Sequence, residues 1–285
     1  MNDQNARAAR APRSYLYVPG HVARKLERAR DFGADALIID LEDAVPFNQK
    51  QEAMAATSAW LDAGTSDGEV WVRVNESGRG IADVRALAGH EEITGFVLPK
   101  VDTAADVLAV SALLDELGAS QMLMPMIESA SAVHNALEIA GATRVRLLQM
   151  GEIDLAADLG MTPGSDESEL ASIRTQVVLV SRLAGLVPPP APVSSGYRDL
   201  EAFAVSTARL ARLGFLGRVC IHPSQIPVAH GVFSVTDQQV EEAEALIAKA
   251  EQAAASGLGA VDDGRGNMID PAVLRAAFRI LSLRR

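Results

Sequence analysis

Surplus positive charge, cysteine pairs, aromatic bulk and long apolar runs are all missing from this 285-residue chain. Its 26 lysines and arginines are outnumbered by 37 acidic residues, giving a formal net charge of −11. So few cations cannot replace the counterions of a polyphosphate, and no nucleic-acid partner is expected. A phosphorylated small ligand needs only a few local cations and stays open. The one cysteine, Cys220, excludes an internal disulfide framework and any multi-cysteine metal cluster. No apolar run reaches the roughly 18 residues that cross a bilayer. The first 14 residues also lack the apolar core of a signal peptide. No membrane partner and a cytoplasmic location are therefore expected. Aromatics make up only 4% of a chain that is 48% hydrophobic, so Ala, Val, Leu and Ile must build the core. That balance fits a globular α/β protein and not a disordered one.

Short apolar, β-branched runs alternate with longer segments of helical spacing. The predicted strands are 14–18, 36–41, 70–75, 95–100, 121–128, 144–151, a weak one at 187–193, and 218–222. Helical segments are predicted at 22–32, 49–61, 104–117, 129–139, 167–186 and 199–213. Strand followed by helix, without hairpins, implies parallel strands joined by crossover helices. Eight such strands in about 220 residues match an α/β fold of the (β/α)8 TIM-barrel kind. An open doubly wound sheet would carry a glycine-rich phosphate loop after its first strand, and Pro19-Gly20-His21 has one glycine. The run Pro188-Pro189-Pro190 makes the seventh strand the weakest, because proline cannot donate to a ladder. The expected organisation is a short tail at 1–12, a barrel at 13–235 and a C-terminal helical arm or lid at 236–285. The arm comprises a helix over 237–255, a turn-rich linker and an amphipathic helix over 271–283.

Catalytic groups of such a barrel project from the carboxyl ends of the strands. Those ends carry Asp40, Glu42 and Asp43; Arg73 and Asn75; Lys100; Glu128; Glu152 and Asp154; and His222. Glu128 and Asp154 fall on adjacent strands roughly 5 Å apart, close enough to share one ion. Two carboxylates, with water and substrate filling the other positions, suit Mg²⁺, and Mn²⁺ accepts the same oxygen set. The alternative for both is capping of the helices that follow. Glu152 is a rival ligand that also reads as a first-turn helix residue. Arg73, inside an apolar strand, needs an anionic partner: a substrate oxygen, or a structural ion pair with Asp40 or Glu42. Lys100 either neutralises the acidic cluster or serves as a Schiff-base amine. Asp40 and Glu42, with Asp43, brace Arg73 or orient metal-bound waters. His222 and Cys220 read as core residues, and Ser224 as a helix cap.

Taken in order, these ends resemble the citrate lyase beta-subunit and malyl-CoA lyase family, within the HpcH/HpaI aldolase superfamily. The matching segments are 13–20, 33–45, 72–75, 98–100, 127–129, 151–155 and 220–225, with Met268-Ile269-Asp270 in the arm. The resemblance implies a lyase that cleaves or forms a carbon–carbon bond in a 3-hydroxyacyl thioester of CoA or an acyl-carrier protein, releasing a small 2-oxo acid. It implies Mg²⁺ on Glu128 and Asp154, and enolate stabilisation by Arg73. It also implies that Arg13, Pro19 and Lys25 lie near the phosphopantetheine arm. Asp270 is expected to enter a neighbouring subunit's site for proton transfer, in a homo-trimer or hexamer. Two positions depart from the pattern. An aspartate-glycine pair facing the thioester is replaced in 193–197, and Ile153 stands where citrate lyase beta subunits carry glutamate. Three alternatives therefore stay open: a CoA-independent metal aldolase, a malyl-thioester hydrolase, and a non-catalytic binding subunit.

Overall fold

The computed structural model describes residues 11–64, 68–194, 196–255, 261–262 and 268–284. Residues 12–232 form one compact unit, and a second unit begins at Phe233. In the first unit, seven parallel strands are described: β1 (Ser14–Pro19), β2 (Ala36–Asp40), β3 (Glu69–Arg73), β4 (Ile93–Leu98), β5 (Met122–Ile127), β6 (Gln149–Met150) and β7 (Arg218–Cys220). Their order in the sheet is β6-β5-β4-β3-β2-β1-β7. Between and after them run α1 (Ala23–Ala29), α2 (Lys50–Asp62), α3 (Ser77–Leu87), α4 (Ala104–Glu116), α5 (Ala130–His134), α6 (Ala136–Ala140), α7 (Glu152–Asp158), α8 (Ala171–Leu183), α9 (Leu200–Leu213) and α10 (Gln225–Phe233). The result is a parallel α/β sheet with crossover helices.

Both faces of the sheet are buried, which is why its strands read as continuous apolar runs rather than alternating ones. Leu16, Val18, Leu37, Ile39, Val70 and Val72 join the main apolar cluster with helix residues such as Leu26, Ala53 and Val84. The intervening Tyr15, Ile38, Trp71 and Val97 are equally buried but stand outside that cluster. Polar contacts on this second face link strands that are not neighbours. The Gln149 Nε2 amide of β6 donates to the Tyr17 hydroxyl of β1 at 2.8 Å, and Arg146 pairs with Glu69 of β3. Such contacts require the sheet to curl. Gly95 on β4 makes room for that interior: a Cβ there would lie 2.5 Å from the Trp71 ring and 2.3 Å from the Met122 carbonyl.

Two expected strands come out shorter than their sequence suggests. Of 144–151, only Gln149–Met150 forms a strand, with an isolated bridge from Val145 to Leu123; Arg144 adopts a left-handed φ of 66°, which interrupts extension at its start. In 187–193, Ala191 bridges to Arg218, and no strand forms across the prolines, which have no N–H to give. The stretch still has partners on both sides. Val187 N–H donates to the Arg146 carbonyl at 3.1 Å, while Ala191 N–H donates to Gly217 O and Val219 N–H to Ala191 O, each at 2.9 Å. The single helix expected over 129–139 is broken at Asn135 into α5 and α6.

The second unit contains α11 (Asp237–Ala255), an antiparallel pair of two-residue strands, β8 (Val261–Asp262) and β9 (Met268–Ile269), and α12 (Pro271–Ser282). Thr236 and Gln239 cap α11 reciprocally, the Gln239 side chain accepting from Thr236 N–H at 2.9 Å and Thr236 Oγ1 from Gln239 N–H at 3.2 Å. The linker expected before the last helix falls partly on residues 256–260 and 263–267, outside the described residues. Its remaining residues pair as β8 and β9.

Candidate active site

The carboxyl ends of β1, β2, β3, β5, β6 and β7 open into a cavity of about 720 Å³ lined by Tyr17, Arg73, Glu128, Gln149 and Asp154 among others. Strand register creates the first charge centre. Asp40 and Arg73 are paired residues at the ends of β2 and β3, so their side chains emerge side by side. Arg73 binds Asp40 through two parallel bonds, Nε to Oδ1 at 2.8 Å and Nη2 to Oδ2 at 2.7 Å. Its Nη1 meets Glu42 Oε2 at 2.9 Å. Asp40 also accepts the N–H groups of Glu42 at 2.9 Å and Ala44 at 3.1 Å, so both its oxygens are committed. Asp40 is thereby a positioning residue for Arg73 and the turn beyond it. Burial works against the guanidinium charge, but the bonds to Asp40 and the Asp40 and Glu42 charges outweigh it and raise the Arg73 pKa. Arg73 therefore stays ionised, and it stacks on the Tyr17 ring at 4.9 Å. Burial raises the Glu42 carboxyl to about 7, with nearby Asp43 adding to the rise and Arg73 opposing it.

The second centre joins β4, β5 and α7. Glu128 is 4% exposed and accepts the Lys100 backbone N–H at 2.6 Å. That bond needs Lys100 in a left-handed conformation, with φ 52°. Lys100 Nζ lies 3.6 Å from Glu128 Oε1 and bonds directly to Asp154 Oδ2. Burial opposes the ammonium charge, yet Asp154 and Glu128 raise its pKa. In this arrangement Lys100 is an ammonium that neutralises Glu128 and Asp154. Burial raises the Glu128 carboxyl as well, the Lys100 amide and ammonium only partly offsetting it. Gly151 permits the approach of Glu128, whose Oε2 would stand 2.3 Å from a Cβ at that position.

Both carboxylates thus converge on one cationic point, now held by an ammonium. Among the described residues no group of three or more His, Cys, Asp or Glu side chains could hold a metal ion. Two carboxylates converging at a cavity wall still fit an ion that takes its other oxygens from water and ligand. Glu152 is excluded as the rival: Arg174 holds both its oxygens at 2.6 Å, deep in the fold. Asn75 is likewise turned away, its amide and backbone N–H bonding Asp83.

Other expected residues divide. Pro19 and the exposed Lys25 line the cavity. Arg13 does not. It precedes β1, at the amino ends of the strands, where Asp35 accepts its Nε at 2.8 Å and its backbone N–H at 2.9 Å. The expectation that Arg13 lies beside the ligand arm is corrected on that placement: a carboxylate available at the start of β2 holds it at the opposite end. Asp270 lies in the second unit, exposed, as the cap of α12, its Oδ1 accepting from Ala272 and Val273 N–H at 2.8 Å each. His222 faces the cavity, stacked on Tyr197 at 5.4 Å, rather than lying in the core. Cys220 is a core residue, its thiol raised by burial to about 12. Tyr17 and Gln149 were missed by sequence reasoning. Neither forms a charged motif, and only the curl of the sheet brings them together.

Carboxylates, a fixed arginine and a lysine gathered at the carboxyl ends of parallel strands define an enzyme of the aldolase and lyase class. The chain belongs to the HpcH/HpaI aldolase/citrate lyase family, whose model matches residues 13–223. It is 37% identical over 259 residues to a (3S)-malyl-CoA thioesterase of Cereibacter sphaeroides, covering 89% of this chain and 88% of that one. It is 31% identical over 298 residues to an L-malyl-CoA/beta-methylmalyl-CoA lyase of Rhodobacter capsulatus, covering 94% and 93%. Its fold matches CitE of Mycobacterium tuberculosis, solved with magnesium, acetoacetate and coenzyme A, with a TM-score of 0.80 at 28% identity over 97% of this chain and 99% of that one.

The raised Glu42 carboxyl generates a stability prediction. A carboxyl whose folded pKa lies above its unfolded value stabilises the fold fully below the unfolded pKa, and that contribution is lost as pH rises through the folded one. Stability should therefore fall between about pH 4.5 and 7, by about 3 kcal/mol from this group. Urea unfolding of Glu42→Gln across that window should show a flatter pH dependence. An unchanged slope would contradict the assignment.

Proposed function

We propose that this chain is a Mg²⁺-dependent carbon–carbon lyase that cleaves, or forms in reverse, a 3-hydroxyacyl-CoA-type thioester such as malyl-CoA or citramalyl-CoA. The observation that carries this reading is the pair of carboxylates, Glu128 and Asp154, converging on one cationic point beside a braced arginine in a single cavity. Family membership, and the named malyl-CoA and magnesium-bound relatives, support it. The barrel is proposed to be an eight-position ring, with the 187–191 stretch as the position between 144–150 and β7; the hydrogen bonds on both its sides support this.

Glu128 and Asp154 would hold the ion, and Lys100 would swing away to admit it. When bound, Mg²⁺ would chelate the ligand's hydroxyl and carboxylate and lower the hydroxyl pKa. Loss of the hydroxyl proton to solvent water lets its electron pair form a carbonyl as the C2–C3 bond breaks. The electrons of that bond move onto the thioester as an enolate. Arg73 spends three of its five N–H donors on Asp40 and Glu42, leaving two for the enolate oxygen as its charge develops. Because Asp40 prevents the guanidinium from rotating, that stabilisation needs no reorganisation. Proton delivery to C2 completes the acyl thioester and frees the 2-oxo acid. We assign that proton to Asp270 of a second copy in a trimer or hexamer, the C-terminal unit from about residue 236 serving as the arm that carries it. Lys25 stands exposed on the cavity rim, where an ammonium suits the phosphates of the thioester carrier, and Pro19 borders the arm's path.

A second reading, hydrolysis of the same thioester to a free hydroxy acid, is favoured by the likeness to the Cereibacter sphaeroides thioesterase. It uses the same ion-holding carboxylates and differs in products.

Glu128→Gln and Asp154→Asn should each lower turnover of malyl-CoA by at least about 100-fold. They should also abolish the rise in melting temperature that Mg²⁺ gives the parent protein. Parent-like stabilisation by Mg²⁺ in both variants would remove the metal assignment. For the arm, Asp270→Ala and Arg73→Ala should each be inactive alone, while refolding them together should restore turnover. A mixture as inactive as its parts would place Asp270 outside the neighbour's site.

A further inference from the structure

A polar pair lies deeper in the cavity than any residue used above. Tyr17 precedes Pro19 by two residues on β1, and Gln149 precedes Gly151 by two at the end of β6. Each therefore enters the cavity about 6–7 Å further inside the sheet than the strand-end groups. The Gln149 Nε2–Tyr17 hydroxyl bond of 2.8 Å spans the interior between them, forming a floor. Both residues line the cavity, beside the apolar Met126, Met150 and Leu16.

This floor is incompletely satisfied. Gln149 is only 2% exposed, yet its Oε1 has no hydrogen-bond partner. The Tyr17 oxygen accepts from Gln149, and among the described residues no acceptor takes the phenol's own hydrogen. An unmet buried carbonyl oxygen costs about 1–3 kcal/mol, a cost that an apolar pair of the same size would avoid. A ligand that enters and supplies the missing partners recovers it. One acceptor and one donor stand side by side, and a hydroxyl group satisfies both because it donates and accepts. Turning the amide over exchanges its two atoms but still leaves a polar atom facing the cavity, which a hydroxyl also meets and an alkyl group does not.

The location decides which part of the ligand is read. A carrier arm has to leave through the open mouth, so the floor meets the end of the ligand remote from the thioester. We propose that Tyr17 and Gln149 are specificity-determining residues that select a carbonyl fragment bearing a hydroxyl substituent over one bearing a methyl. The proposal rests on the reading of the cavity as a 2-oxo acid site, and it adds which 2-oxo acid is preferred.

The test compares pyruvate with 3-hydroxypyruvate, which differ by one hydroxyl. Each is titrated calorimetrically into the full-length protein with Mg²⁺ present, so the readout is binding and not turnover. The parent protein should bind 3-hydroxypyruvate about tenfold more tightly than pyruvate. In Tyr17→Phe and Gln149→Leu that ratio should collapse to about one, mainly through tighter pyruvate binding in Gln149→Leu. A purely structural role would weaken both acids equally and leave the ratio unchanged, which would overturn the proposal, as would equal binding by the parent. Should Gln149→Leu fail to fold, Gln149→Met keeps a flexible apolar side chain of similar length. If neither acid binds the parent at all, the 2-oxo acid reading itself falls, and this inference with it.

Discussion

Carboxylates placed in the interior of a sheet must be neutralised, and the mouth of this fold is organised by how that is done. Asp40, Glu42 and Glu128 are 1%, 6% and 4% exposed, and an unpaired charge at such depth costs several kcal/mol. Two cations meet the need in different ways. Arg73 grips Asp40 at two points and Glu42 at a third, from a planar group that stays ionised. Lys100 is a point charge on a flexible stem, with a side chain 39% exposed, meeting an Asp154 side chain that is 42% exposed. The Asp40 pairing is fixed by two parallel bonds in a buried setting. The second is half exposed, and in the proposed mechanism its ammonium would move into solvent as a divalent ion takes its place.

That asymmetry divides the labour of the site. The arginine centre is a rigid donor with N–H groups to spare, suited to charge that appears only during reaction. In the proposed mechanism the lysine centre would give way to a divalent cation, its carboxylates staying paired until then. The hydrogen-bonded Tyr17 and Gln149 line the same cavity just back from the ends of β1 and β6. The remaining buried ion pairs are structural. Arg174 holds Glu152 and meets Glu167 at 2.9 Å, fastening α7 to the turn before α8 beneath the cavity wall.

Much of this was legible in the sequence, for physical reasons that vary by residue. Apolar runs ending in charge placed Asp40, Arg73, Lys100 and Glu128 at or just past strand ends, because a buried strand has no other use for ionised groups; Asp154, expected there too, stands in the first turn of α7. Of the two readings of Arg73, the ion pair with Asp40 and Glu42 is the one seen, and the side chain also lines the cavity. Arg13 was misplaced because a motif position says nothing about which end of a strand a side chain occupies, and Asp35 decides it. Tyr17 and Gln149 were invisible because their meeting depends on two strands 132 residues apart closing across an interior. The broken 144–151 strand and the proline-bearing stretch after Val187 show the limit of apolar pattern alone. Each keeps its place by isolated bridges and hydrogen bonds where a continuous ladder was expected.

The central claim is that the two charge centres break a carbon–carbon bond, and the identity of the first products tests it most directly. Malyl-CoA is incubated with the protein and Mg²⁺, quenched within the first few turnovers, and analysed by mass spectrometry. Acetyl-CoA and glyoxylate in equal amounts, appearing before any free CoA, are the products this account predicts. Malate and free CoA without acetyl-CoA would contradict it and assign the same carboxylates to thioester hydrolysis.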